Sequence, residues 1–270
     1  MPQDILKRNN VRSFGRGSQP MMFAHGFGGN QQMWHRITPA FEENYRIVLF
    51  DHMGSGKSDL GAYDPDRYGE LKSFALDVVE ICEALNLSDV ILVGHSVGAT
   101  IGMLASIYAP QILAQLILVC PSPCYLNEGD YQGGFERSDI DGLIDLMDKN
   151  YIGWASYLAP LAMKNEDFPE FTLELESSFL NTDRSIANQF AKVTFYADSR
   201  KFLPQVSVLS LILQSTDDIF AAPEIGVYMQ QHLRNSTLKN LEANGHFPHI
   251  SNPSEFIVVL NEYLTASLIS

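Results

Sequence analysis

The chain has 270 residues, 46% of them hydrophobic, which suits one large α/β domain or a core domain carrying an insertion. Acidic residues outnumber basic ones 32 to 18, for a net charge of -14. A surface of that sign repels nucleic acid and anionic membranes, which excludes both as partners, and its simplest role is to keep the protein soluble.

The opening residues, "MPQDILKRNN", hold no apolar run of the kind a signal peptide needs. The stretch "DILKRNNVRSFGRGS" is expected to add a hairpin at one edge of a sheet. Short apolar runs bounded by turn residues then follow: "MMFAHG", "YRIVLFD", "DVILVGH", "QLILVC", "VLSLILQ" and "TLKNLEA". Most lack polar alternation, so they read as strands covered on both faces, as in a parallel sheet. Helical patterns separate them. "QQMWHRITPAFEE" follows the first run. "LKSFALDVVEICEALNL" follows the second, with Phe74, Val78, Ile81 and Leu85 on one face. "VGATIGMLASIYA" follows the third, and "SNPSEFIVVLNEYLTASL" closes the chain. Strand-helix alternation implies right-handed crossovers and a mostly parallel, doubly wound sheet. All the apolar runs are too short to span a bilayer.

Residues 124–200 break the rhythm with helical patterns and no clear strand. "GLIDLMDKNYIGWASYLAPLAM" and "SIANQFAKVTFYADSR" are amphipathic. So long a stretch between two strands reads as an inserted helical cap, with residues 1–123 and 201–270 forming the core. The cap holds 14 acidic and 6 basic residues, so it carries more than half of the net charge. Its aromatics would leave an apolar seam over the sheet, where pockets form. Each of them is as well explained by plain packing.

Cys82, Cys120 and Cys124 form no Cys-x-x-Cys pair, and an odd number cannot all pair internally. Buried free thiols in the reducing cytoplasm are expected.

"FDHMGSGKSD" contains Gly56-Lys57-Ser58, the end of a phosphate-binding loop. The loop also needs a glycine five residues before Gly56, where Asp51 stands, and a helix directly after it. The chain continues instead with the turn-rich "DLGAYDPDRYGE". The stretch is therefore expected to be a structural turn.

"LVGHSVGAT" holds Gly94-His95-Ser96-Val97-Gly98, a Gly-x-Ser-x-Gly between a buried strand and a helix. That is the setting of a nucleophile elbow, in which the serine is held in a strained turn and the glycines remove clashing side chains.

With this elbow, the strand-helix order and Asp51-x-x-Gly54-x-Gly56-x-Ser58, the chain resembles the α/β-hydrolases along nearly its whole length. The resemblance implies the order Ser, then Asp or Glu, then His. His246, after Asn244-Gly245 and the last strand, sits where the family's "GH" histidine does. His249 reads as structural, and His-x-x-His without the accompanying glutamate is no zinc site. Asp217 and Asp218 both follow "SLILQ" and point to opposite sides. The family's Gly-x-x-Asp pattern falls on Ser215-Thr216-Asp217-Asp218 and selects Asp218, although Ser215 replaces the glycine. Pro223 stands late in that loop. The oxyanion hole is expected from the N–H groups of Val97 and of Phe27, in "HGFGGN".

"VGHSVGATIGMLASI", "PSPCYLN", "KNYIGWA", "QFAKVTFYADSR" and "LILQSTDDI" are similar to the RsbQ-like subfamily, bacterial energy-stress regulators that act with a PAS-domain phosphatase of the RsbP type. Plant strigolactone and karrikin receptors belong to the same group. This resemblance implies a four-helix cap over a closed apolar pocket, a Ser-His-Asp triad and a small apolar ligand. Two functions stay open: a hydrolase of a small apolar ester or lactone with no cofactor or metal, and a signalling module that binds such a ligand and a phosphatase with little turnover. Phe27, Phe135, Trp154, Phe190, Phe195 and Val97 are the pocket candidates.

Overall fold

The computed structural model describes residues 4–267. In chain order these form α1 (Ile5–Arg8), β1 (Arg12–Phe14), β2 (Gln19–Ala24), β3 (Tyr45–Leu49), α2 (Leu71–Ala84), β4 (Val90–His95), α3 (Val97–Tyr108) and β5 (Leu113–Val119). Four helices come next: α4 (Arg137–Lys149), α5 (Tyr151–Met163), α6 (Pro169–Leu180) and α7 (Arg184–Phe195). The chain ends with β6 (Leu209–Asp217), α8 (Pro223–His232), β7 (Ser236–Asn244), α9 (Pro248–Ser251) and α10 (Pro253–Ser267).

The seven strands make one sheet in the order β1-β3-β2-β4-β5-β6-β7. All pairs are parallel except β1 with β3. Alternate residues of each strand feed two cores, because strand side chains alternate between faces. Met22, Val48, Leu92, Leu116 and Ile212 pack toward α2 and α3, in a cluster that continues into α4–α7. Met21, Ile47, Ile91, Ile117 and Leu211 pack toward Phe256, Leu260 and Leu264 of α10. Both faces are covered, which is why the strands read as continuous apolar runs.

Two local expectations are corrected. The N-terminal stretch is a short helix followed by a single edge strand, not a hairpin. Asp4 caps α1 by accepting from Leu6 N, and Arg8 is buried against Asp77 of α2 at 2.5 Å, which turns the chain inward before β1. "QQMWHRITPAFEE" forms two single 3₁₀ turns rather than one helix. Asn30 caps the first, and Pro39 lacks the N–H needed to continue. The pattern was apolar because Trp34, Ile37 and Phe41 are all buried.

The first amphipathic run of residues 124–200 is broken at Asn150, which ends α4 and caps α5 by accepting from Gly153 N. Helices α6 and α7 rest on glycines of the loops after β2 and β3. A Cβ on Gly28 would stand 2.2 Å from the Phe179 ring, and one on Gly54 2.1 Å from Ile186 Cγ2. Both have positive φ, at 69° and 85°. Gly54 belongs to the "GSGKS" loop, so that loop is a seat for α7. Its interior is filled by Asp51, whose carboxylate accepts from Lys57 N, Gln31 N and Asn10 Nδ2 at 2.7–2.9 Å. The Lys57 amide of the loop is thus engaged by a carboxylate of the chain itself. Among the described residues, no helix is long and apolar enough to cross a membrane.

Candidate active site

Ser96 sits between β4 and α3 with φ 55° and ψ -123°, a strained conformation for a residue with a side chain. The flanking glycines permit it. A Cβ on Gly94 would lie 2.5 Å from Gly98 O, and one on Gly98 would lie 2.5 Å from His25 O. The turn leaves Oγ at the carboxyl end of the sheet, where ligands bind in open α/β folds.

His246 lies just after β7, in a loop opened by Gly245 at φ 80°. Its Nδ1 stands 2.7 Å from Asp218 Oδ2, and its Nε2 stands 2.7 Å from Ser96 Oγ. Nδ1–H therefore donates to the carboxylate, and Nε2 accepts from the serine hydroxyl. The Asp218 side chain is fully buried, and its Oδ1 accepts from Phe220 N and Ala221 N. Asp217 points the other way, half-exposed, and pairs with Lys164 Nζ at 2.5 Å. The structure thus brings Asp218, and not Asp217, to the histidine. Pro223 opens α8 at a position where the missing N–H costs nothing.

The "HGFGGN" loop is held rigidly. His52 N donates to His25 Nε2, so His25 carries its proton on Nδ1 and donates it to Gly26 O. His52 Nε2–H returns a bond to His25 O. Burial pushes both pKa values down, so both rings stay neutral. A Cβ on Gly26 would lie 3.2 Å from Ser96 Cβ, which measures how closely this loop approaches Ser96. Phe27 follows directly and Val97 is the first residue of α3, so both candidate oxyanion donors flank Ser96.

A cavity of about 20 Å³ opens on Ser96 and His246, room for about one water molecule. Phe27 and Phe195 line it, with Tyr125, Leu158, Phe179, Phe220 and Phe247. Trp154 and Phe190 lie behind Phe27, at ring distances of 6.0 and 5.8 Å, around a separate small cavity. Phe135 lines an outer groove and packs on Phe220.

Two functional neighbours had no separate signal in the sequence. Tyr125 OH lies 3.2 Å from Ser96 Oγ. The serine proton points to His246, and burial pushes the phenol pKa up, so Tyr125 donates to Oγ. His95 Nε2 donates to the backbone carbonyl of His246 at 2.7 Å. Both residues stood inside quoted motifs, "PSPCYLN" and "VGHSVG", but nothing in spacing assigns them a partner 29 or 151 residues away.

Residues 19–137 match a family model described as the alpha/beta hydrolase fold. A karrikin insensitive 2 receptor of Petunia hybrida is 37% identical over 96% of this chain and 97% of its own length. A strigolactone esterase of Arabidopsis thaliana is 35% identical over 97% and 98%. A solved hydrolase from Oleispira antarctica superposes with a TM-score of 0.95, at 42% identity, over 97% of both chains.

Proposed function

Because the chain belongs to the α/β-hydrolase family, we propose that it is a serine hydrolase of a small apolar ester or lactone. In this reading Ser96 is the nucleophile, His246 the base and Asp218 the group that orients the base. Residues 124–200 act as the cap, over a core of 1–123 and 201–270. The observation that carries the reading is the unbroken pair of 2.7 Å bonds from Asp218 through His246 to Ser96.

Ser96 Oγ attacks the carbonyl carbon as its proton passes to His246 Nε2. Asp218 stabilises the imidazolium that forms. The developing oxyanion is held by the N–H groups of Phe27 and Val97. Collapse breaks the ester bond, and the leaving oxygen takes the proton from His246. A water molecule then attacks the acyl carbon and gives its proton to His246, which returns it to Ser96 as the acid departs. No cofactor takes part.

The aromatic and aliphatic lining favours an apolar substrate. The cavity is smaller than any ester of several carbons, so wall side chains or the cap must shift to admit one. That tightness, with the receptor relatives, supports a second reading in which the chain binds a small ligand and signals with little turnover. Its partner would be a PAS-domain phosphatase of the RsbP type, as the RsbQ-like resemblance implies, and three buried free thiols fit the cytoplasm.

A fluorophosphonate probe followed by peptide mapping tests the nucleophile. Modification of Ser96, blocked in Asp218→Asn, is expected; modification elsewhere, or none, contradicts the assignment.

A further inference from the structure

Of the three buried thiols that the proposed mechanism leaves unused, Cys120 is the one beside Asp218 and His246. It follows β5 directly, with φ 44°, and is fully buried. Its thiol lies 3.4 Å from Ser215 Oγ, the side chain that replaces the glycine of the family's acid loop. One ligand atom each from Cys120, Asp218 and His246 lies within 4.8 Å of the others, and all three residues are buried. Among the described residues this is the one such group of three.

We propose that Cys120, Asp218 and His246 form an inhibitory site for a thiophilic divalent cation such as zinc. A thiolate, a carboxylate and an imidazole are ordinary zinc ligands, at about 2.0–2.3 Å. Tetrahedral geometry then sets the ligand atoms about 3.3–3.8 Å apart, so the cluster must adjust by about 1 Å and the Asp218–His246 bond must open. Two anionic ligands neutralise the cation, which makes its burial affordable where a lone charge would not be. The surroundings already orient the ligands. Asp218 Oδ1 is fixed by two backbone amides, Cys120 by Ser215, and the His246 backbone by His95 and Ala162 O. The cavity reaches His246 but is lined by neither Cys120 nor Asp218, so the cation enters from it only as the surrounding side chains move.

Binding releases one proton, from the Cys120 thiol. The imidazole keeps its single proton but moves it from Nδ1 to Nε2, because Nδ1 now faces the metal. Nε2–H then points at Ser96 Oγ and cannot accept the serine proton. The cation inhibits by reversing the tautomer on which the base depends, without touching the nucleophile. The inference extends the triad reading, and its first test does not need activity.

Cobalt(II) is added to the whole protein and the near-ultraviolet thiolate-to-cobalt band is recorded. The band is expected in the wild type and in Ser96→Ala, and is expected to vanish in Cys120→Ser, which retains Cys82 and Cys124. Where hydrolysis is present, zinc is expected to inhibit it, with chelator reversing the effect. Cys120→Ser should raise the zinc needed for half-inhibition by at least about tenfold. Should Cys120→Ser fail to fold, Cys120→Ala takes its place, and the wild-type spectrum stands alone. No thiolate band in the wild type, or equal zinc inhibition in wild type and Cys120→Ser, overturns the site. A band without hydrolysis would leave the metal site standing and remove only the enzymatic reading.

Discussion

The carbonyl of His246 accepts a 2.7 Å hydrogen bond from Nε2 of His95, the residue immediately before Ser96. On its other side, the His246 amide donates to Ala162 O of α5, also at 2.7 Å. His246 is thus clamped between the end of β4 and α5. Burial, first, and then His249 and His246 push the His95 pKa well down, so the ring is neutral and its single proton sits on Nε2, toward this carbonyl.

His95→Phe keeps a buried ring but leaves the His246 carbonyl without its donor, at a cost of about 1–3 kcal/mol. Steady-state kinetics should show kcat lower by about 10–100-fold with KM changed little, since the loss falls on the base rather than on binding. An unchanged kcat would mean that α5 and Asp218 position His246 unaided.

Asp218 and Asp217 separate cleanly. Asp218→Asn should lower kcat by about 10⁴-fold, because the amide no longer fixes the Nδ1–H tautomer. Asp217→Asn removes only a half-exposed ion pair with Lys164, worth about 0–1 kcal/mol, and should leave kcat within about twofold. Equal losses in both would contradict the geometry.

Much of this site was legible because backbone constraints write themselves into residue type. Gly94, Ser96 and Gly98 stand where only a strained turn needs them, and Gly245 precedes the histidine at positive φ. Alternation at a strand end left Asp217 and Asp218 equivalent until the Gly-x-x-Asp pattern selected one of them. What stayed hidden depends on contacts distant in sequence. Tyr125 and His95 carry no local mark of their partners, and the aromatics of the cap could not be sorted by position alone. Phe195 reaches the cavity, whereas Phe135 faces the outer groove. The two 3₁₀ turns at Gln31–Trp34 and Thr38–Ala40 read as one helix because their apolar residues are buried at helical spacing, and Pro39 was the one contrary signal.

The close approach of Gly26 gives a steric test. An added Cβ would meet His95 Nδ1 at 2.5 Å and Ser96 Cβ at 3.2 Å, so the loop carrying Phe27 must retreat. Gly26→Ala should lower kcat by about 10²–10³-fold, the usual loss for one oxyanion donor. Circular dichroism checks that the fold survives. Full activity would remove Phe27 from the oxyanion hole.

His249 makes stability depend on pH. It is fully buried, stacks on Trp34 at 4.3 Å, and burial pushes its pKa down to about 3. In the unfolded chain it titrates near about 6.5. Between those values the unfolded chain holds a proton that the folded chain lacks, so stability falls as pH drops below about 6.5. His25, His52 and His95 shift in the same direction, and each fully buried neutral histidine adds up to about 1.4 kcal/mol per pH unit. The urea midpoint should fall from pH 7 to pH 5, with a shallower fall in His249→Phe. Parallel pH curves for the two proteins would contradict a buried, neutral His249.

The most direct test is the initial rate of p-nitrophenyl acetate hydrolysis in wild type and Ser96→Ala at equal concentration. Steady turnover is expected in the wild type, with a loss of about 10³-fold or more in the variant and the fold unchanged by circular dichroism. Equal rates in the two proteins would contradict Ser96 as nucleophile, and with it the proposed hydrolase.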